Sequence, residues 1–227
     1  MHIEPGVVDG AKIVLSYATG VASLGLAAKM AADTISENGG ALALLARGAA
    51  STALVFTFFE ILPHYPVGVS EVHLILGSTL FLIFGAGPAA IGLAAGLLIQ
   101  GVLFAPFDLP QYGMNVTTLV VPLWALARFA PRILPASRAY VETGYGQALA
   151  LSAVYQGGIV AWVGFWAFYG HGFSAENSAA VGQFAIGYIA VLALEPVIDL
   201  GVLAIAKSLR AAIPYLVVER RLLAEAA

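Results

Sequence analysis

The residue with the sharpest chemistry in this chain is His2, in the start Met1-His2-Ile3. A histidine in second place offers three nitrogens from one end of the chain: the α-amine of Met1, its own amide and its imidazole. Around one ion these close a five- and a six-membered chelate ring. The amide must give up its proton, which Ni2+ and Cu2+ promote in a square-planar field of nitrogen donors and Co2+ promotes less readily. A bulky second residue also keeps Met1 from being removed, so the amine would survive. The plainer reading of His2 is an arbitrary residue in a frayed terminus.

Three nitrogens leave one planar position open. The chain has four histidines and no cysteine, which excludes disulfides, iron–sulfur clusters and thiolate zinc sites. His73 is the best fourth donor. The stretch it opens holds about 14 apolar residues, or roughly 21 Å of helix, against a hydrocarbon core of about 30 Å. Its start can therefore lie below the surface, inside a helix bundle. Residues 1–7, if extended, reach about 23 Å, enough to fold back over such a bundle and meet His73. His64 and His171 read more simply as interfacial histidines, with His64, Glu71, Gln100 and Asn115 the candidates to support the ligands from outside. Glu71 is either a carboxylate that orients an imidazole or a solvated loop residue. No GxxxxGK[ST], HExxH or GxSxG motif is present, so no recognised phosphate loop, zinc-protease helix or nucleophile elbow competes with this reading.

The elements that must hold these residues are set by composition. Of 227 residues, 60% are hydrophobic and 10% are charged, against roughly 25% charged in an average soluble domain. An all-α, polytopic membrane bundle follows, as one transmembrane domain over 1–227. A net charge of -3 argues against nucleic acid as a partner. The N-terminus has no basic region followed by an apolar run and a small-residue cleavage site, so it is expected to be kept. A span needs about 20 apolar residues, and the candidates are 9–31, 41–62, 71–86, 88–106, 114–134, 147–169 and 178–206. The break between the third and fourth is placed at Gly85-Ala86-Gly87-Pro88. The alternative is a re-entrant third segment.

Charge placement favours seven spans with the N-terminus outside. Lys29, Arg128, Arg132, Arg138, Lys207, Arg210, Arg220 and Arg221 then fall on the inner side, Arg47 near the inner end of the second span, and only Lys12 toward the outside. This is the asymmetry of a threaded membrane protein. A re-entrant third segment would put Arg128, Arg132 and Arg138 opposite Lys29. With this threading all four histidines lie on or near the outer face. Residues 1–8 form the metal-binding segment, and 207–227 is expected to be an amphipathic helix along the cytoplasmic surface.

Charges inside spans are functional by default. Glu60 lies near the outer end of its span and faces water. Glu195 and Asp199 stand four residues apart on one face of the last span, far from the histidines, and read as contacts to another subunit or to Arg47. Gln100 and Asn115 flank the outer half of the bundle as cross-helix hydrogen-bonding groups. Ala46-xxx-Ala50 and Gly92-xxx-Gly96 allow close helix contact, a weak signal in so alanine- and glycine-rich a chain.

Met1-His2-Ile3, Ser70-Glu71-Val72-His73-Leu74, and Leu98-Ile99-Gln100 followed by Gly113-Met114-Asn115 together resemble the CbiM/NikM family. These are the substrate-binding (S) components, or permeases, of cobalt and nickel energy-coupling-factor ABC transporters. The resemblance runs in order over roughly the first 120 residues; later spans match only in hydropathy and in late Glu195. It implies an ion held by the Met1 amine, the amide and imidazole of His2, and His73. It also implies seven spans, a cell-membrane (bacterial or archaeal plasma or inner membrane) location, and partners: a transmembrane coupling (T) component, two ATPase subunits that power import, and often a small accessory membrane protein. The chain itself is then no enzyme, carries no permanent cofactor, and takes Ni2+ or Co2+ as transported substrate. It departs from the usual pattern at Glu4-Pro5-Gly6 and at Pro106-Phe107-Asp108-Leu109-Pro110-Gln111-Tyr112, both beside the expected binding loop. The alternative is an integral-membrane metalloenzyme, which would want two or three histidines converging with carboxylates.

Overall fold

The computed structural model describes residue 3 and residues 5–224; Met1 and His2, on which the chelate expectation falls, lie outside the described residues. In chain order the elements are α1 (Ile13–Glu37), α2 (Gly40–Glu60), β1 (Tyr65–Val67), β2 (Ser70–Val72), α3 (Gly77–Phe84), α4 (Ala86–Leu103), α5 (Tyr112–Ile133), α6 (Tyr145–His171), α7 (Ala175–Ser208) and α8 (Arg220–Leu223). Among the described residues, six helices are long and apolar enough to cross a membrane: α1, α2, α4, α5, α6 and α7. Helix is the form such segments take because hydrocarbon offers no partner to a backbone N–H or C=O.

Close approach between helices rests on small residues. A Cβ on Gly92 would overlap the Ser51 side chain, and one on Gly96 would come within 2.6 Å of Val55. The Gly92-xxx-Gly96 spacing is thus a true contact face, laid along α2. Gly48 meets Ile91, Ser51 meets Gly92 and Val55 meets Gly96, so α2 and α4 run in the same direction.

The bundle has two chemically different ends. At one, Ile3 pairs with Ser70, Lys12 Nζ donates to the Gly170 carbonyl at 2.7 Å, and His171 Nε2 lies 3.2 Å from the Gly6 carbonyl. At the other, Asn38 and Arg47 meet Glu219, and Arg221 donates to the carbonyls of Leu134 and Pro135.

The third expected span differs from a continuous helix over 71–86. A hairpin comes first, pairing Tyr65 with Val72, Pro66 with Glu71 and Val67 with Ser70. Its turn needs Gly68, at φ +65, where the Ala180 carbonyl occupies the space of a Cβ. An irregular stretch, 73–76, then leads into the eight-residue α3. A helix of that length rises about 12 Å, and the four residues before it, folded into two tight turns in which Ile75 N donates to the His73 carbonyl and Gly77 N to the Ile75 carbonyl, add a shorter stretch. Together they take the chain from the Ile3 end to Gly85, whose backbone φ of +85 brings it against the Glu219 carboxylate. The helix can begin inside the bundle because distant side chains serve its open backbone groups. Glu195 Oε1 accepts from Ser78 N at 3.0 Å, and Gln156 Nε2 donates to the Ile75 carbonyl at 2.7 Å. Irregular backbone at membrane depth is tolerated only with such partners.

The C-terminal segment also differs from the amphipathic helix expected over 207–227. After Ser208 the chain turns through Pro214, and among the described residues only α8 is helical, with four residues. Leu222 and Leu223 are buried at 1%, and Glu219 N donates to the Ile83 carbonyl at 2.7 Å. The segment packs into the bundle end rather than lying along a surface, because Pro214 has no N–H to continue a helix and its leucines find an apolar seat.

Candidate metal centre

His73 follows β2 directly and is 1% exposed. Its ring packs against Phe59 at 5.1 Å. On another side His64 stacks on it, with centroids 4.6 Å apart and planes within 10°. Glu71, in β2, stands two residues before His73, and its Oε2 lies 3.6 Å from His73 Nε2. One ligand atom from each of His64, Glu71 and His73 falls within 4.8 Å of the others.

His64 reaches this place because α2 ends early. Ile61 and Leu62 both donate to the Thr57 carbonyl, and Pro63 then turns the chain back over the bundle. His64 itself is exposed, with Nδ1 3.3 Å from the Leu62 carbonyl. Expected as an interfacial histidine or a supporting neighbour of the ligands, it shares a cluster with His73 and Glu71. His171, expected in the same role, lies against Gly6 and so touches the N-terminal segment.

Ile3 brings that segment into the bundle. Its side chain is 1% exposed, it pairs antiparallel with Ser70, and its N–H donates to Asn115 Oδ1 at 3.0 Å. Asn115, expected as a cross-helix hydrogen bonder, thus holds the N-terminal strand to α5. Gln100 is 6% exposed and lines a small pocket with Asp108, Tyr112 and Asn115.

A second polar cluster lies deeper. Glu195 and Asp199 are both fully buried, so their side chains do not reach a neighbouring subunit. Glu195 accepts from Ser78 N, Ser152 Oγ and Gln156 Nε2, and Asp199 accepts from the hydroxyls of Ser78 and Thr79. Neither pairs with Arg47, which is claimed at the far end of α3 by Glu219 at 3.5 Å, by Asn38 and by the Tyr215 carbonyl at 2.6 Å. The reason is distance along the bundle: Arg47 is in the first turns of α2, whereas Glu195 sits where α3 begins. Ser78, Thr79, Ser152, Gln156 and Glu219 are the residues that sequence reasoning missed. The available signal was Gln156, an amide in the middle of an apolar span, where a polar group needs a partner.

Six membrane-length helices among the described residues, packed around a buried histidine, define a multi-pass membrane protein. The family described as CbiM, the cobalt uptake substrate-specific transmembrane region, matches residues 2–213. The chain belongs to this family. Two solved structures share its fold: one described as a transition metal transporter, over 93% of this chain and 94% of that one, at 17% identity and a TM-score of 0.65, and one described as a truncated transition metal transporter, over 93% and 98%, at 17% identity and a TM-score of 0.63. No curated protein matches the chain.

Proposed function

We propose that this chain captures Ni2+ or Co2+ at the outer face of the membrane, as the substrate-binding subunit of an energy-coupling-factor ABC importer. The Met1 amine, the His2 amide and imidazole, and His73 hold the ion. A transmembrane coupling component and two ATPase subunits, with or without a small accessory membrane protein, drive its uptake.

The pairing of Ile3 with Ser70 is the observation that carries this reading. Met1 and His2 lead into Ile3, a reach of about 7 Å. Antiparallel register carried one step further would set His2 opposite Glu71, and side chains opposite each other share a face. Glu71 already lies 3.6 Å from His73. The His2 imidazole and the Met1 amine would then arrive beside His73.

Charge supports the orientation. The helix ends around Glu219 carry Arg47, Arg132, Lys207, Arg220 and Arg221, whereas the Ile3 end carries Lys12. The positive-inside rule makes the Glu219 end cytoplasmic. Counting the α3 passage, the chain crosses seven times, which agrees with N-out and C-in.

The test is metal titration of purified protein. His73→Ala should lose stoichiometric Ni2+ and Co2+ binding, His2→Ala should lose the planar high-affinity species, and wild-type affinity should rise with pH, since the bound amine, amide and imidazole are deprotonated. His73→Ala binding as tightly as wild type would contradict the assignment. The convergence of His64, His73 and Glu71 is what a membrane metalloenzyme would also need. That reading predicts metal-dependent turnover of a substrate by the isolated chain.

A further inference from the structure

We propose that His64, Glu71 and His73 form a recruiting site, which takes the hydrated divalent ion before the planar nitrogen site closes on it. This rests on the capture reading above, because His73 belongs to both sites.

The planar site has an entry problem. Its fourth donor, His73, is 1% exposed, and its amide donor binds only after losing a proton, which happens once an ion is already anchored nearby. Two imidazoles and a carboxylate need no such step. Imidazole and carboxylate donors suit an octahedral Ni2+ or Co2+ that still keeps water ligands. His64, Glu71 and His73 offer these donors within 4.8 Å of one another, and their burial is graded: His64 is exposed, Glu71 half-buried and His73 buried. An ion arriving from water meets them in that order.

His64 is set up to bind and to let go. With the proton on Nδ1, shared with the Leu62 carbonyl at 3.3 Å, the lone pair is on Nε2, and the partner on one ring nitrogen fixes the donor character of the other. The two rings are nearly parallel, 10° apart, so one ion cannot lie in both ring planes at once. One ring must turn. His73 is packed on Phe59, whereas His64 is exposed on a loop and can swing. Adjacent ligand nitrogens on one ion sit about 3 Å apart at metal–nitrogen distances near 2.1 Å, so the cluster tightens by about 1–2 Å on loading. Once the chelate at the chain end forms, four nitrogens satisfy the ion, and His64 swings away.

The experiment uses the full chain with five residues, Ser-Gly-Ser-Gly-Ser, added before Met1, since a single added residue would put His2 third and build a new four-nitrogen chelate; Ni2+ is the only probe, and titration calorimetry with magnetic susceptibility the readouts. The extension removes the amine-containing chelate rings. The extended protein should keep one paramagnetic, six-coordinate Ni2+, bound about 100-fold more weakly than in the native chain, and His64→Ala in that background should abolish it. In the unextended protein, His64→Ala should slow Ni2+ association about tenfold by stopped flow while leaving the final affinity within about threefold, because an ordinary structural role would move both together. An extended protein that binds no Ni2+ while the native chain binds it overturns the recruiting site and leaves the capture site standing. An unchanged association rate in His64→Ala overturns it as well. A native chain that binds no Ni2+ overturns both.

Discussion

Ile3 donates its backbone N–H to Asn115 Oδ1 at 3.0 Å across 112 residues of sequence, in a buried setting. With the pairing of Ile3 and Ser70, this bond ties the N-terminal strand between β2 and α5, three residues along the chain from His73.

Asn115→Ala should therefore weaken Ni2+ binding without touching a ligand. The loss leaves the Ile3 N–H buried and unpaired, at a cost of about 1–3 kcal/mol, and supporting partners of metal ligands typically change affinity by about 10–100-fold. Calorimetric titration checks this; an Asn115→Ala affinity equal to wild type would show that Ile3 is held by its strand pairing alone.

Glu195 should act at a distance through Gln156 and α3. Glu195→Ala removes the acceptor of the Ser78 N–H and of the Ser152 and Gln156 side chains, destabilising the start of α3 by about 1–3 kcal/mol. Glu195→Gln keeps an acceptor oxygen and should cost less. Amide hydrogen exchange at Ser78 in micelles reads this directly, with protection falling in the order wild type, Glu195→Gln, Glu195→Ala.

The contact between α2 and α4 should reject even a methyl group. Gly92→Ala forces a Cβ into Ser51, and overpacking costs about 1–3 kcal/mol. Gly182→Ala meets nothing within 4 Å and should be neutral or stabilising by about 0.5–1 kcal/mol, the helix-interior preference for alanine. Thermal unfolding of the two variants side by side checks the contrast in sign.

At the opposite end, Glu219 should pin the C-terminal segment. It meets Arg47 at 3.5 Å, accepts from Asn38 and donates its N–H to the Ile83 carbonyl. Glu219→Ala leaves Arg47 buried without its carboxylate, and segment 209–224 should be cleaved several-fold faster by added protease, since opening of the weakest-held unit governs cleavage. Unchanged cleavage would mean that Leu222 and Leu223 alone hold the segment.

The long helices were legible because their signal is local: each of α1, α2, α4, α5, α6 and α7 overlaps a window of apolar residues that can be counted. The third span was not, because what ends its helix midway lies far off in sequence. Nothing around Ser78 announces that Glu195 and Gln156 will serve its backbone, and an apolar count cannot tell a helix from irregular chain passing through a bundle. Within the site, His73 was singled out by its place at the head of a short apolar run, whereas His64 was read only as an interfacial or supporting histidine. Its approach to His73 depends on Pro63 and the widened last turn of α2, where Leu62 N reaches back to the Thr57 carbonyl, a matter of chain direction rather than residue type. Glu195 and Asp199 were rightly marked as unusual and wrongly sent outward, because serines and threonines that bind carboxylates look ordinary in a helix.

The central claim is that the free chain end is itself a ligand group. A Ser-Gly-Ser-Gly-Ser extension before Met1, long enough to take the amine out of reach of the His2 imidazole, tests it, with Ni2+ absorption and magnetism as readouts. The native chain should hold one planar, diamagnetic Ni2+, and the extended chain should lose that species entirely. A planar Ni2+ of unchanged stoichiometry and affinity in the extended chain would contradict the account.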